Sequence, residues 1–119
     1  MLRVGVDLIE VNRIENSMAR YGQRFYDRFF TPHEQAQCGG RANRLAGRFA
    51  VKEAVAKALG TGIGDVRWVD IEVICDEHGR PELVLHAQAE VLARQLGLTE
   101  WAISISHTNS HAVGMAVAL

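Results

Sequence analysis

Three cations and an acid lie within one short stretch of the chain, and their types suit the binding of a phosphate. The stretch from 48 to 59, RFAVKEAVAKAL, is predicted to be helical, with small residues on one side and charges on the other. Arg48 and Lys52 are like charges four residues apart, which weakens a helix by roughly a few tenths of a kcal/mol unless an anion neutralises them. Glu53 and Lys57 attract each other at the same spacing. A solvated face with one ion pair is therefore the alternative interpretation.

Two acids from different parts of the chain are candidate metal ligands. Asp7 follows an alternating apolar segment, which predicts that it lies at a strand end, and Glu53 stands among small residues in mid-helix. Mg²⁺ takes one or two carboxylates and completes its octahedron with water and substrate phosphate. Together with the nearby cations, the two acids therefore suggest a Mg²⁺ site. The alternative for each acid is a helix cap or a salt-bridge partner.

Two further features bear on phosphate binding, and each also has a purely structural explanation. The glycine-rich GTGIG of 60–64, which contains Gly62, can bring backbone N–H groups against a phosphate, but a helix end and turn would use the same residues. It is not a Walker A loop, because no Lys-Ser/Thr pair follows it. His107 ends the alternating segment WAISISH, where a histidine can bind a ligand or simply occupy a strand edge.

The bulk properties argue against several classes of function. The formal net charge of −1 disfavours a general nucleic-acid binder, and no apolar run approaches the roughly 20 residues that cross a bilayer. Cys38 and Cys75 lack the spacing of a zinc site or a disulfide framework, which predicts two reduced thiols. Asp7 and Glu10 near the start disfavour a signal peptide. We expect a cytoplasmic protein with no membrane and no nucleic-acid partner.

The hydrophobic periods predict a single α+β domain over residues 1–119, with a mostly antiparallel sheet and helices packed on one face. The first helix is expected to begin at Asn12, which with Glu15 resembles a capping box, and to end at Gly22. The other predicted elements, in chain order, are a helix from 31 to 39, a helix over 42–59, a hairpin with strands over 69–74 and from 83, a helix over 87–96, and a hairpin over 101–107 and 112–119.

Four arginines follow one another along the predicted first helix and beyond its end, at spacings of seven, four and four residues: Arg13, Arg20, Arg24 and Arg28. A basic stripe of this kind can serve solubility alone. It can also dock an acidic protein, because a guanidinium pairs well with carboxylates and charge attraction raises association rates. The residues themselves leave both interpretations open.

Three ordered motifs resemble those of the holo-acyl-carrier-protein synthases, the small phosphopantetheinyl transferases. They are GVDLIEVNRI, RFAVKEAVAKALGTGIG and ISISHTNSHAVGMAV, and together they extend over nearly the whole chain. The resemblance implies the 4′-phosphopantetheinyl transferase fold and an enzyme that uses coenzyme A as substrate. Its implied reaction moves the 4′-phosphopantetheine arm to a serine of an apo acyl carrier protein and releases adenosine 3′,5′-bisphosphate. Such phosphoryl transfer requires mainly positioning and charge neutralisation.

The resemblance also implies the catalytic roles. Asp7 and Glu53 would hold Mg²⁺ on the pyrophosphate of coenzyme A, and Lys57 would neutralise the same group. Either Glu53 or a metal-bound water would accept the serine proton, and the sequence does not choose between them. Asp7, Glu53 and Lys57 are thus the catalytic residues that the resemblance predicts.

Residues for the nucleotide follow from the same resemblance. Arg48 and His107 match family positions that contact the 3′-phosphate, Lys52 would add to the positive field, and Gly62 would lie against the nucleotide.

The family further implies a homotrimer with active sites between protomers, whose first helix receives the acidic carrier protein. Arg13 matches a family position for that docking, and the other three arginines extend it by their spacing.

The competing interpretations are a non-catalytic module that binds coenzyme A or a nucleotide, a Mg²⁺-dependent phosphohydrolase, and an assembly subunit.

Overall fold

A computed structural model describes residues 1–60, 64 and 66–119 of the chain. The strands are β1 (Arg3–Glu10), β2 (Ile71–Cys75), β3 (Pro81–Leu85), β4 (Trp101–His107) and β5 (His111–Ala118). The helices are α1 (Val11–Tyr21), α2 (Gln23–Phe29), α3 (Pro32–Cys38), α4 (Ala42–Leu59) and α5 (Ala87–Gln95), and a 3₁₀ turn covers Trp68–Asp70.

The strands form two antiparallel sheets where the sequence led us to expect one. β5 is the central strand of the larger sheet and pairs with β1 and β4 on either side, while β2 and β3 form a separate hairpin. The predicted α+β class with antiparallel pairing is confirmed. Asp7 was expected at a strand end, and this is wrong, because Leu8 and Ile9 continue the strand and pairing with β5 extends to Glu10 opposite His111.

Helix α4 packs against the larger sheet at a distance that only glycine permits. A Cβ atom on Gly5 of β1 would lie 1.8 Å from the carbonyl oxygen of Ala54, and one on Gly114 of β5 would lie 2.4 Å from the backbone nitrogen of Val51. Real Cβ contacts are never so short, so any side chain there would push the helix off the sheet. The small-residue face of α4 therefore allows two strands to approach its backbone, which brings Asp7 of β1 close to this helix.

The chain between the first strand and α3 differs from its prediction. Helix α1 begins directly after β1, its N-cap is Glu10, and this cap makes no side-chain hydrogen bond, so the predicted capping box at Asn12 is wrong. The backbone N–H of Val11 instead donates to the carbonyl of Ser110, 2.8 Å away. Gly22, at φ +57°, ends α1 and starts α2, a separate helix, so the four arginines lie on two helices.

Two further properties follow from the fold. None of the helices in the described part of the chain has both the length and the apolar character that crossing a bilayer requires. Cys38 and Cys75 are both free thiols, and burial raises the pKa of Cys38 to about 11.

Candidate active site

The two predicted acids meet in one cleft beside Lys57. Asp7 on β1 and Glu53 on α4 line a space of about 330 Å³. Lys57, one turn beyond Glu53, places its Nζ 3.2 Å from Oδ1 of Asp7 and 2.9 Å from the carbonyl oxygen of Val6. The Lys57 side chain remains 54% exposed. The cleft thus holds two carboxylates, one of which is paired with an accessible ammonium group.

The electrostatics of this cleft favour a cation. Burial raises the pKa of Glu53, the negative charge of Asp7 raises it further, and Lys57 only partly opposes them. In the described part of the chain no three or more His, Cys, Asp or Glu side chains come together as a metal-binding group. Two carboxylates would leave most coordination positions of a Mg²⁺ ion open. This suits Mg²⁺, which keeps several waters and binds substrate phosphates.

The cleft lined by Asp7 and Glu53, called the acid cleft below, has aromatic walls. It lies beside α1 and α2, the helices that carry the four arginines. Phe25, Phe29 and Phe49 line it, and Arg13 borders it. A neighbouring cleft of about 320 Å³ shares Ser17, Phe25 and Phe29 with it and is bordered by two more of the predicted docking arginines, Arg24 and Arg28. The remaining arginine of the stripe, Arg20, lies with its guanidinium carbon 5.3 Å from the ring centre of Tyr21. Three of the four arginines therefore border the acid cleft or the cleft next to it.

Lys52 is buried and internally paired, which corrects its predicted role toward the nucleotide. Its side chain is fully inaccessible, and Nζ donates to Oε1 of Glu34 at 2.8 Å and to the carbonyls of Trp68 and Ile71. All three ammonium N–H groups are used by these bonds, so none is left for a ligand. Burial lowers the pKa of Lys52, and Glu34 opposes that shift.

His107 lies at a different cleft, and Arg48 is buried against two of the residues that line it, Gln37 and Cys75. Arg48 is only 4% exposed, and its guanidinium donates to the carbonyl of Val73 at 3.2 Å and to Oε1 of Gln37 at 2.8 Å. His107, exposed at the end of β4, lines a cleft of about 480 Å³ together with Gln37 and Cys75. This cleft and the acid cleft share no lining residue among those described. Gly62 lies outside the described residues.

Several lining residues escaped the sequence analysis. Ser17 joins the two clefts near α1, and Arg44 and Gln37 line the His107 cleft. Arg44 precedes Arg48 by one helical turn, and that spacing is a signal that was present in the sequence. Ser17 and Gln37 carry no comparable signal, because single uncharged polar residues on helices are usually part of the solvated surface.

Comparison with known proteins places the chain and its fold in a class. The model of the 4′-phosphopantetheinyl transferase superfamily matches residues 3–116. Among solved structures, the Helicobacter pylori holo-[acyl-carrier-protein] synthase in complex with coenzyme A superposes with a TM-score of 0.89 at 30% identity, and the match covers 98% of this chain and 99% of that one.

Sequence relatives narrow the class to one family. The holo-[acyl-carrier-protein] synthase of Moorella thermoacetica is 46% identical over 120 residues, which cover 98% of this chain and 93% of the relative. That of Herpetosiphon aurantiacus is 43% identical over 126 residues, which cover 100% and 99%. The chain therefore belongs to the 4′-phosphopantetheinyl transferase superfamily and, within it, to the holo-[acyl-carrier-protein] synthases, a family of enzymes.

Proposed function

We propose that this enzyme transfers the 4′-phosphopantetheine arm of coenzyme A to a serine hydroxyl of an apo acyl carrier protein. The observation that carries the proposal is the cleft where Asp7, Glu53 and Lys57 meet. In the reaction the serine oxygen bonds to the phosphorus that bears the pantetheine arm. The bond from that phosphorus to the bridging oxygen breaks, its electron pair leaves with adenosine 3′,5′-bisphosphate, and the serine proton passes to Glu53 or to water.

Asp7 and Glu53 would hold Mg²⁺, because this ion is commonly bound by one or two carboxylates and their negative charge favours a cation. When bound, Mg²⁺ polarises the attacked phosphoryl group and stabilises charge on the departing bisphosphate. Lys57 would neutralise the pyrophosphate, since its exposed ammonium group is already oriented by Asp7 and Val6.

The decisive experiment mixes the protein with an apo acyl carrier protein, coenzyme A and Mg²⁺ and measures the mass of the carrier. We expect the carrier to gain one phosphopantetheine arm and expect a chelator to prevent the gain. Coenzyme A that binds while the carrier keeps its mass would support the non-catalytic module instead. Coenzyme A that is cleaved without modifying the carrier would support a hydrolase.

We further propose a homotrimer whose active sites lie between protomers. The acid cleft and the His107 cleft share no described lining residue within one chain, and a coenzyme site built from one cleft of each of two copies would bring both sets of residues to the ligand. The outer face of the larger sheet offers an apolar surface for such contact. Exposed Val6 on β1 pairs with exposed Met115 on β5, and exposed Val4 pairs with the partly buried Val117. Contiguous apolar patches of this kind commonly mark interfaces.

Val6→Lys is the variant that tests this assembly. A charge in the centre of the apolar face must be desolvated when copies associate, so we expect the mass in solution to fall from three chains to one. Val84→Lys is the matched control, because Val84 is an exposed valine on β3, in the other sheet. Light scattering at matched concentrations measures the mass. A wild-type protein that is monomeric at the working concentration would contradict the trimer.

The arginine stripe is proposed to receive the acidic carrier. Arg13 borders the acid cleft, so an acidic carrier held there would deliver its serine close to Asp7 and Glu53. Arg13→Glu reverses the charge at this point. We expect the KM for the carrier to rise about tenfold, with less effect at high salt, because the contact is exposed and screened.

The control for Arg13→Glu is Arg94→Glu, an equal change of net charge on the exposed face of α5, where Arg94 pairs with Glu90. We expect this control to leave the KM for the carrier unchanged. The KM for coenzyme A should be unaffected in both variants. An equal rise of both KM values in Arg13→Glu would contradict a docking role.

A further inference from the structure

The C-terminal end of α4 is capped by two different parts of the chain. The last four carbonyls of an α-helix find no donor inside the helix. In α4 these carbonyls belong to Ala56, Lys57, Ala58 and Leu59. The backbone N–H of Gly60 donates to the first two, at 3.1 and 3.0 Å. Nη1 of Arg3, on β1, donates to the other two, at 3.2 and 3.3 Å. The Arg3 side chain therefore completes the cap.

The Arg3 guanidinium lies directly against this helix end. Its Nη1 carries two N–H groups, so it can serve both carbonyls at once. A Cβ atom on Gly60 would lie 3.2 Å from the same Nη1. Arg3 is half-buried, and the partial negative charge at the C-terminus of a helix attracts a cation. Hydrogen bonding and charge thus both hold the last turn of α4 to the start of β1.

Lys57 lies in the turn of α4 that Arg3 caps, one residue before Ala58. Its Nζ donates to the carbonyl of Val6 at 2.9 Å and to Oδ1 of Asp7 at 3.2 Å, so Lys57 and Arg3 both join this turn to β1. An exposed ion pair alone holds a side chain only weakly. The position of the Lys57 ammonium group therefore also depends on the order of its backbone, to which the Arg3 cap contributes.

The middle of α4 is held to the sheet independently of Arg3. Gly5 and Gly114 bring two strands against its backbone, as described above. Glu53 lies in this middle part, one turn before Lys57. Loss of the Arg3 side chain should therefore loosen the last turn, with Lys57, and leave Glu53 in place.

We infer that Arg3 is a positioning residue, which holds Lys57 at the acid cleft by fixing the last turn of α4 to β1. This inference rests on the proposed function, which gives Lys57 its ligand, the pyrophosphate of coenzyme A. Arg3 acts through Lys57 and has no assigned contact with a substrate. Without Arg3, Lys57 would sample more conformations, and fewer of them would place its ammonium group at the pyrophosphate.

The test is a double-mutant cycle of Arg3→Met and Lys57→Ala. Arg3→Met keeps a long side chain and removes its donors and its charge. In the wild-type background it should lower kcat/KM for coenzyme A about fivefold. In the Lys57→Ala background it should lower kcat/KM less than about twofold, because the ammonium group that Arg3 positions is gone. A cap that serves stability alone would change kcat/KM by the same factor in both backgrounds.

Two further variants complete the cycle. Arg3→Lys should recover part of the loss, because lysine keeps the charge and can donate to a carbonyl. Arg41→Met is the matched control, since Arg41 is an exposed arginine at the other end of α4, where its side chain makes no capping hydrogen bond. We expect it to leave kcat/KM unchanged. Equal factors for Arg3→Met in the two backgrounds, including no change in either, would overturn the inference.

A binding measurement separates this inference from the proposed reaction. Calorimetry with coenzyme A and Mg²⁺, without a carrier, should show that Arg3→Met raises Kd about fivefold in the wild-type background and less than about twofold in the Lys57→Ala background. A protein that shows this coupling but never modifies a carrier would refute the reaction and support the positioning role. A protein that modifies the carrier but binds coenzyme A equally well with and without Arg3→Met would refute the positioning role and support the reaction.

Discussion

Glu53→Gln and Asp7→Asn are each expected to reduce kcat by more than about 10²-fold. Each substitution keeps the size of the side chain and removes one of the two negative charges in the cleft. A bound divalent ion supplies several kcal/mol of transition-state stabilisation, and each ~1.4 kcal/mol corresponds to about a tenfold change in rate. Steady-state transfer to the carrier protein, followed over a range of Mg²⁺ concentrations, measures the effect.

The thermal stability of the same variants gives a readout that does not depend on turnover. The folded pKa of Glu53 is raised, so its ionised form is disfavoured in the folded protein and lowers stability at neutral pH. Glu53→Gln removes that charge, so without metal it should melt at or above the wild-type temperature. Added Mg²⁺ should raise the Tm of the wild type, because a ligand that binds only the folded state stabilises it. It should not raise the Tm of the variant.

Glu15→Gln is the matched control, because Glu15 is an exposed acid on α1 that does not line the acid cleft. It should retain both the activity and the Mg²⁺-dependent rise in Tm. If Glu53→Gln turned over at the wild-type rate, Glu53 would not be a metal ligand. If Mg²⁺ stabilised this variant as much as the wild type, the ion would bind elsewhere.

The meeting of Asp7 and Glu53 was predicted from the types of the two residues and from the family resemblance, while the local pattern placed only Glu53 correctly. The bounds of α4 match the prediction at both ends, since Gly60 adopts the left-handed conformation that ends the helix. The bounds of β4 also match, because its alternation is strict. Gly5 and Gly114 then permit the close contact of helix and sheet. The sequence showed the small residues of the helix but not the two strand glycines that complete the contact.

The predictions from the sequence that proved wrong are those in which tertiary contacts override a local sequence pattern. The helical period placed Lys52 on the charged side of α4, away from the small residues, which suggested solvent or ligand. That side packs against α3 and β2, so Val55 and Leu59 are buried there together with Lys52. The partner of Lys52 is Glu34, 18 residues earlier, which also forms a capping box with Thr31 at the start of α3. No periodicity reveals that one carboxylate serves both purposes.

Lys52→Met is expected to lower the free energy of unfolding by about 3–5 kcal/mol, because it leaves the Glu34 carboxylate buried without its counterion. Glu34 would keep the backbone N–H donors of Thr31 and Val73, both at 2.9 Å, but the carbonyl of Trp68 would lose its donor. Such a loss is a large part of the roughly 5–15 kcal/mol that holds a domain folded. Denaturant unfolding of the purified variant measures it.

A double substitution separates the cost of the unpaired charge from the value of the pair itself. Glu34→Gln together with Lys52→Met removes both charges of this buried pair and keeps an oxygen acceptor for Thr31, so it should lose less stability than the two single changes added together. Lys57→Met is the stability control on the same helix, because its exposed ion pair with Asp7 contributes no more than about 1 kcal/mol. If Lys52→Met unfolded like the wild type yet bound coenzyme A weakly, Lys52 would face the ligand, and the buried pair would not exist in solution.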